Sequence, residues 1–159
     1  MLHINIVCVG KIKEVFFKDA ISEYSKRLAR FCSLNIIELP DEKIPDKSND
    51  KIEQSIKEKE GKNILLHLKK DSFIIALDLR GIQLDSVSFS NKLEQISSIN
   101  SSITFIIGGS LGLSQEVLDS CNLKLCFSKM TFPHQLIRIF LIEQIYRAFK
   151  ISNNETYHK

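Results

Sequence analysis

Residues 103–113 read ITFIIGGSLGL, an apolar β-strand pattern that runs directly into a glycine-rich turn. Glycines at the end of a strand let the backbone adopt positive φ and approach a ligand closely. The segment lacks the GxGxxG spacing of dinucleotide-binding sites and the GK[ST] ending of a phosphate-binding P-loop. The glycines alone are equally typical of a tight turn, and it is their position after a central strand that favours a binding site.

Strand and helix patterns alternate on both sides of this segment. Apolar alternation predicts further strands at residues 3–9, 34–39, 72–79 and 123–127. Apolar residues at helical spacing predict helices at residues 14–31, 50–68, 86–99, 114–120 and 133–151. This order indicates an α/β fold with a mainly parallel sheet and helices on both faces. Ligands bind at the carboxyl ends of such strands, so the segments after the third, fourth and fifth strands are expected to hold the site.

Length and composition indicate one globular domain spanning residues 1–159. The longest apolar runs are far shorter than the ~20 residues that cross a bilayer, and the N-terminal segment has no signal-peptide pattern. The four cysteines form no CxxC pair and have no metal-like spacing with histidine; they are Cys8, Cys32, Cys121 and Cys126. We therefore expect a cytoplasmic protein with reduced thiols, no metal and no membrane partner.

Positive charge is concentrated at the C-terminal end of the chain. Residues 124–159 contain six Lys or Arg and two Glu and so have a net charge of +4, whereas the whole chain has a net charge of +3. The other 123 residues contain sixteen basic and seventeen acidic side chains, a net charge of −1. This excess suggests a phosphate-rich partner, although a mildly basic tail is also typical of solvated surface.

Residues 127–135, FSKMTFPHQ, combine donors and a titratable ring before the last helix. Pro133 suits the first turn of that helix, where its missing N–H costs nothing. His134 fits a base, a phosphate contact or an ordinary helix-start residue. The last helix is apolar around most of its circumference, which predicts burial on more than one side and hence a homodimer.

Several longer segments carry a resemblance that covers essentially the whole chain. They are NIVCVGKIKE (5–14), EYSKRL (23–28), IIELPDEK (36–43), IGGSLGL (107–113), FSKMTFPHQLIRIFLIEQIYRAFKI (127–151) and the terminal YHK. With these segments the sequence resembles the ribosomal RNA large subunit methyltransferase H family, in the SPOUT group of knotted methyltransferases. The resemblance implies a homodimeric enzyme that uses S-adenosylmethionine to methylate N3 of a pseudouridine in large-subunit (23S) ribosomal RNA. It also implies a C-terminal trefoil knot that forms the cofactor pocket.

The resemblance assigns roles to individual positions. The implied cofactor residues are Leu77, Gly108, Phe127, Ser128, Lys129, Met130, Thr131 and Phe132. The implied RNA-site or proton-transfer residues are His134, Arg138, Tyr157 and His158, followed by Lys159. The imide N–H must lose its proton before methylation, and cations stabilise the resulting anion. The identity of the base stays open, as does whether the tail acts within one subunit or across the dimer.

Two other functions compete with this interpretation. A nucleotide-dependent oxidoreductase with a degenerate glycine loop is disfavoured, because no acidic residue ends a second strand after such a loop. A non-catalytic RNA- or ribosome-binding module of the same fold is compatible with the sequence, and an assay of methyl transfer distinguishes it from an enzyme.

Overall fold

The computed structural model covers residues 1–159, in which five strands alternate with five helices. The strands are β1 (Leu2–Val9), β2 (Cys32–Leu39), β3 (Phe73–Ile82), β4 (Ser102–Ile107) and β5 (Leu123–Leu125). The helices are α1 (Val15–Leu28), α2 (Asp50–Leu66), α3 (Ser86–Ser97), α4 (Gln115–Asp119) and α5 (His134–Ser152). Every predicted element is present, with ends that differ by a few residues.

The strands form one sheet in the order β2-β1-β4-β3-β5, and every neighbouring pair is parallel. This arrangement confirms the predicted α/β fold with a parallel sheet. Parallel pairing aligns the carboxyl ends of all strands at one edge. Cys8 of β1 pairs with Ile107 of β4, so the segments that follow these two strands leave the sheet side by side.

Alternate side chains of β1 face opposite layers of helices, as the twofold repeat of a strand requires. Ile4 and Ile6 belong to the larger core cluster, which also holds buried residues of α1, α3 and α5. Val7 and Val9 belong to the smaller cluster, with buried residues of α2 and α4. The sheet is therefore the middle of three layers.

Three helices begin with a side chain that accepts a backbone N–H. Asn49 caps α2 and Asp85 caps α3, with N–H donors at 3.0 and 2.7 Å. Ser114 caps α4, at the start of the helix predicted at residues 114–120, with the Val117 N–H at 3.4 Å. Such caps satisfy groups that a helix leaves without intrahelical partners.

The segments near the site depart most from the predicted bounds. β3 extends to Ile82, and its pairing with β5 shifts register between Leu77 and Ile82. The strand predicted at residues 72–79 thus continues for three more residues, with irregular pairing. β5 ends at Leu125, so Phe127 lies outside the strand to which the sequence assigned it.

Helix α5 packs along α1 and α3. Leu141, Ile142 and Ile145 are fully buried, whereas Phe140 on another face of α5 is 40% exposed. Although α5 is strongly apolar, no helix in the structure combines the length and hydropathy needed to cross a membrane.

Candidate functional site

A cavity of about 930 Å³ opens at the carboxyl edge of the sheet. Its walls are the irregular part of β3 (residues 77–80), the glycine loop (residues 108–113) and the FSKMTFPHQ loop (residues 127–135). The sequence predicted a site in these three segments, and the topology brings them together. The volume lies within the range of about 300–1,000 Å³ that is common for small-molecule sites.

Seven of the eight implied cofactor residues line this cavity; they are Leu77, Gly108, Phe127, Ser128, Met130, Thr131 and Phe132. Lys129 belongs to the same loop but is not part of the lining. Leu77, Phe127 and Met130 supply apolar surface, and the glycine loop brings main-chain groups to the wall. These features suit a ligand with a flat apolar ring and polar edges, such as a nucleoside. S-adenosylmethionine contains such a group.

Gly108 is required for the packing of the glycine loop itself. A Cβ built on Gly108 would lie 3.0 Å from the carbonyl carbon of Gly112 and 3.0 Å from Cδ2 of Leu113. Gly112 has a φ of +85°, which favours glycine, and a Cβ there would meet nothing within 4 Å. A side chain at position 108 would therefore deform the loop from within.

The FSKMTFPHQ loop holds its own shape through Ser128. The Ser128 hydroxyl accepts the Met130 N–H at 3.0 Å, and the Cys126 thiol donates to the Ser128 carbonyl at 3.1 Å. The Met130 side chain is left 73% exposed at the cavity wall. The loop thus presents apolar surface without a covering element.

Arg138 lies beneath the site and is 1% exposed. Its Nη1 donates to Glu38 Oε2 at 2.6 Å, and its Nη2 donates to the carbonyl of Gly10 at 3.0 Å. Glu38 Oε2 also accepts the Ile12 N–H at 2.8 Å. Arg138 therefore ties α5 to β2 and to the segment that follows β1, and it does not line the cavity.

His134 lines the cavity at the first position of α5. Gly10 leaves room for its ring, because a Cβ on Gly10 would lie 2.7 Å from His134 Cε1. Burial, assisted by the positive charge of Arg138, holds the pKa of His134 below its usual range. The imidazole is therefore neutral near pH 7, and its buried Nδ1 has no hydrogen-bond partner.

The C-terminal tail is packed against α5. The Tyr157 hydroxyl donates to Glu143 Oε1 at 3.1 Å, and its ring meets Tyr146 edge-on with centroids 5.0 Å apart. Burial and the Glu143 carboxylate raise the pKa of Tyr157 to about 12. Arg147 Nη1 lies 3.2 Å from His158 Nδ1.

His158 faces a second cavity of about 570 Å³ that adjoins the first. The two cavities share Phe127, Ser128 and Phe132. The structure therefore brings His134 and His158 to opposite sides of one loop, while Arg138 lies behind it. Their roles in RNA binding or proton transfer stay predictions.

The sequence interpretation missed three charged residues of the larger cavity. Asp78 and Arg80 lie in the irregular part of β3 and form an ion pair at 3.4 Å. Lys57 reaches the cavity from α2. The irregular end of β3 that holds Asp78 and Arg80 depends on its pairing with β5, and no local sequence pattern marks any of the three residues.

The four cysteines are free thiols, and Cys126 lines the larger cavity. Burial raises the pKa of Cys8 to about 12 and of Cys121 to about 11. No group of three or more His, Cys, Asp or Glu side chains is arranged to hold a metal ion.

Known proteins resemble the chain over nearly its full length. Residues 2–158 match the family described as "Predicted SPOUT methyltransferase". A Clostridium perfringens protein named ribosomal RNA large subunit methyltransferase H 1 is 58% identical, over 99% of this chain and 100% of its own. Proteins named ribosomal RNA large subunit methyltransferase H from Clostridium botulinum and Clostridium tetani are 59% and 57% identical over the same shares.

A solved structure shares the fold at much lower sequence identity. It is described as a probable methylase family protein from Haemophilus influenzae, and it is 14% identical to this chain. The superposition has a TM-score of 0.55 and covers 98% of this chain and 70% of that one. At this identity the similarity concerns the fold alone.

Proposed function

Because the chain belongs to the SPOUT methyltransferase family, we propose that it is a cytoplasmic, S-adenosylmethionine-dependent enzyme that methylates N3 of a pseudouridine in large-subunit ribosomal RNA. The observation that carries this proposal is the cavity at the carboxyl edge of the sheet. Seven of the eight residues expected to bind the cofactor line it, although they come from three separate segments. The names of the relatives that are 57–59% identical support ribosomal RNA as the substrate.

The residues of the cavity fit S-adenosylmethionine in size and chemistry. Leu77, Phe127 and Met130 would hold the adenine, and the main chain of the glycine loop would bind the rest of the cofactor. When bound, the cofactor supplies a methyl group on a sulfonium, which is an activated electrophile. The protein's main task is then to align this group with the target nitrogen.

His134 is the proton acceptor in this proposal. Of the four residues that the resemblance implies for RNA binding or proton transfer, it is the one that lines the larger cavity, and its lowered pKa keeps the ring neutral and able to accept a proton at pH 7. His134 would accept the proton of the pseudouridine N3–H, and N3 would bond to the methyl carbon as the carbon–sulfur bond of the sulfonium breaks and a neutral thioether leaves. Arg138 acts as a positioning residue, because its guanidinium is buried against Glu38 and Gly10.

His158 completes the RNA site, Tyr157 holds the tail that carries it against α5, and the working unit is a homodimer. An exposed imidazole suits a base that has been displaced from its stack. Three exposed apolar side chains, Val87, Phe132 and Phe140, border the second cavity and favour its coverage by another subunit. The trefoil knot implied by the resemblance is part of the same proposal.

The proposal is tested by transfer of a tritium-labelled methyl group from S-adenosylmethionine to free ribosomal RNA, large subunits and assembled ribosomes in parallel. We expect label in RNA from at least one of these substrates. No incorporation from any of them, with cofactor binding intact, would identify a non-catalytic module of the same fold.

A paired variant tests the cavity as the cofactor site. Gly108→Val should weaken cofactor binding at least tenfold in calorimetry, because the side chain collides with Gly112 and Leu113. Ser101→Val is the matched control, because Ser101 is exposed at the opposite end of β4. Equal cofactor affinity in the two variants would show that the cofactor binds elsewhere.

A further inference from the structure

Exposed cations and an exposed aromatic ring occupy the connection from β1 to α1 and the first turn of α1, residues 11–18 (the β1–α1 segment). Lys11, Lys13 and Lys18 are exposed, and none of them is in an ion pair. The Phe16 side chain is 66% exposed. Its ring meets Phe17 edge-on, with centroids 4.4 Å apart. Phe16 therefore does not belong to the hydrophobic core, and lysines lie on both sides of it in the sequence.

The backbone of this segment is held firmly from below. Ile12 is buried, and its N–H donates to Glu38 Oε2 at 2.8 Å. The same carboxylate accepts a hydrogen bond from Arg138 Nη1, and Arg138 Nη2 donates to the carbonyl of Gly10. A buried ion pair therefore fixes the point from which Lys11 and Lys13 project.

The β1–α1 segment lies at the same edge of the sheet as the cofactor cavity. Gly10, just before it, contacts the ring of His134, which lines the cavity. The glycine loop also lies close to the end of β1, because a Cβ built on Gly109 would lie 3.3 Å from Val9 Cγ1. A polymer that enters the cavity would therefore pass beside these lysines.

We propose that the β1–α1 segment is an RNA-binding surface, with Lys11 and Lys13 against phosphates and Phe16 stacked on an unpaired base. This inference rests on the proposed function and adds a surface to it. Single-stranded RNA is bound by cations that follow its backbone and by aromatic rings on which bases stack. The segment holds three exposed lysines against one exposed carboxylate, Glu14, and this net positive charge favours RNA over an apolar protein partner.

Binding of a fluorescein-labelled transcript of large-subunit ribosomal RNA to the full-length protein tests the surface. Phe16→Ala should weaken binding roughly tenfold, in line with the loss of one stacked base. Lys11→Ala/Lys13→Ala should weaken binding and lower the slope of log affinity against log salt by about 1.4, at about 0.7 per lost single-strand phosphate contact. Lys69→Ala/Lys70→Ala is the charge-matched control, because these exposed lysines precede β3 at the opposite edge.

Cofactor calorimetry and sedimentation of the same variants separate the alternatives. We expect cofactor affinity and oligomeric mass to equal those of the unchanged protein. If the unchanged protein methylates RNA but both variants bind RNA like the lysine control, the inference is wrong and the proposed function stands. A change in oligomeric mass with Phe16→Ala would also overturn it, because Phe16 would then be a subunit contact. Failure of the unchanged protein to methylate any RNA refutes only the proposed function.

Discussion

At the scale of single residues, Arg138 shows how the protein uses a buried charge. A guanidinium is costly to bury unless its donors find partners; here Nη1 donates to Glu38 and Nη2 to the Gly10 carbonyl, while the buried Nε has no partner. The Glu38 side chain is 36% exposed, so its carboxylate stays partly hydrated within the ion pair. The result is a fixed link between α5, β2 and the β1–α1 segment.

Arg138→Met should lower the free energy of unfolding by about 3 kcal/mol, because it leaves Glu38 and the Gly10 carbonyl without their donor. Urea denaturation measures this change. Arg147→Met on the same helix is the control, and we expect a smaller loss of about 1 kcal/mol because the Arg147 side chain is more exposed than that of Arg138. Full stability of Arg138→Met combined with complete loss of activity would indicate direct contact with substrate.

His134 makes the stability of the fold depend on pH. Its pKa in the folded protein is below the value of about 6.5 expected in the unfolded chain. As the pH falls from about 6.5 towards the pKa of His134 in the folded protein, the unfolded state binds more protons than the folded state. The stability that His134 contributes above pH about 6.5 is therefore lost below it.

We therefore expect the free energy of unfolding to fall more in the native protein than in His134→Gln between pH about 7.5 and about 5.5. Urea titrations at the two pH values measure the difference. An identical pH dependence in both proteins would show that the environment of His134 does not shift its titration.

At the scale of elements, periodicity predicted all ten helices and strands, because each has a clear apolar repeat. The irregular end of β3 escaped prediction, since a register shift depends on pairing with β5 and leaves no local pattern. The order of the strands is likewise a property of the packed sheet. The place of Lys57 in the cavity wall and the Arg138–Glu38 ion pair also could not be predicted, because they bring together residues that are distant in the sequence.

The C-terminal tail is an element whose two parts do different work. Tyr157 packs on α5, whereas His158 and Lys159 are exposed. Deleting residues 158–159 should leave thermal stability and cofactor affinity nearly unchanged and lower methyl transfer at least tenfold, or about 1.4 kcal/mol of transition-state stabilisation.

Tyr157→Phe is the companion variant for the tail. It removes the hydrogen bond to Glu143 while keeping the ring on Tyr146, so we expect a loss of about 1 kcal/mol in stability. Methyl transfer within twofold of the intact enzyme after deletion of 158–159 would show that these residues take no part in the reaction.

At the scale of the whole molecule, the apolar rim of the second cavity predicts a homodimer. Exposed aromatic side chains beside a half-covered helix are typical of a surface that another subunit buries. Sedimentation equilibrium at micromolar concentration should give about twice the chain mass of 18.2 kDa. Phe140→Glu should shift the equilibrium towards monomer, and a monomeric native protein would contradict the prediction.

The identity of the methylated atom tests the central claim most directly. Large-subunit ribosomal RNA that lacks the modification is incubated with the protein and S-adenosylmethionine, digested to nucleosides and analysed by mass spectrometry against synthetic standards. The account predicts N3-methylpseudouridine as the single new nucleoside, absent when the cofactor is omitted. A methyl group on any other nucleoside or on ribose, or no methylated nucleoside at all, would contradict it.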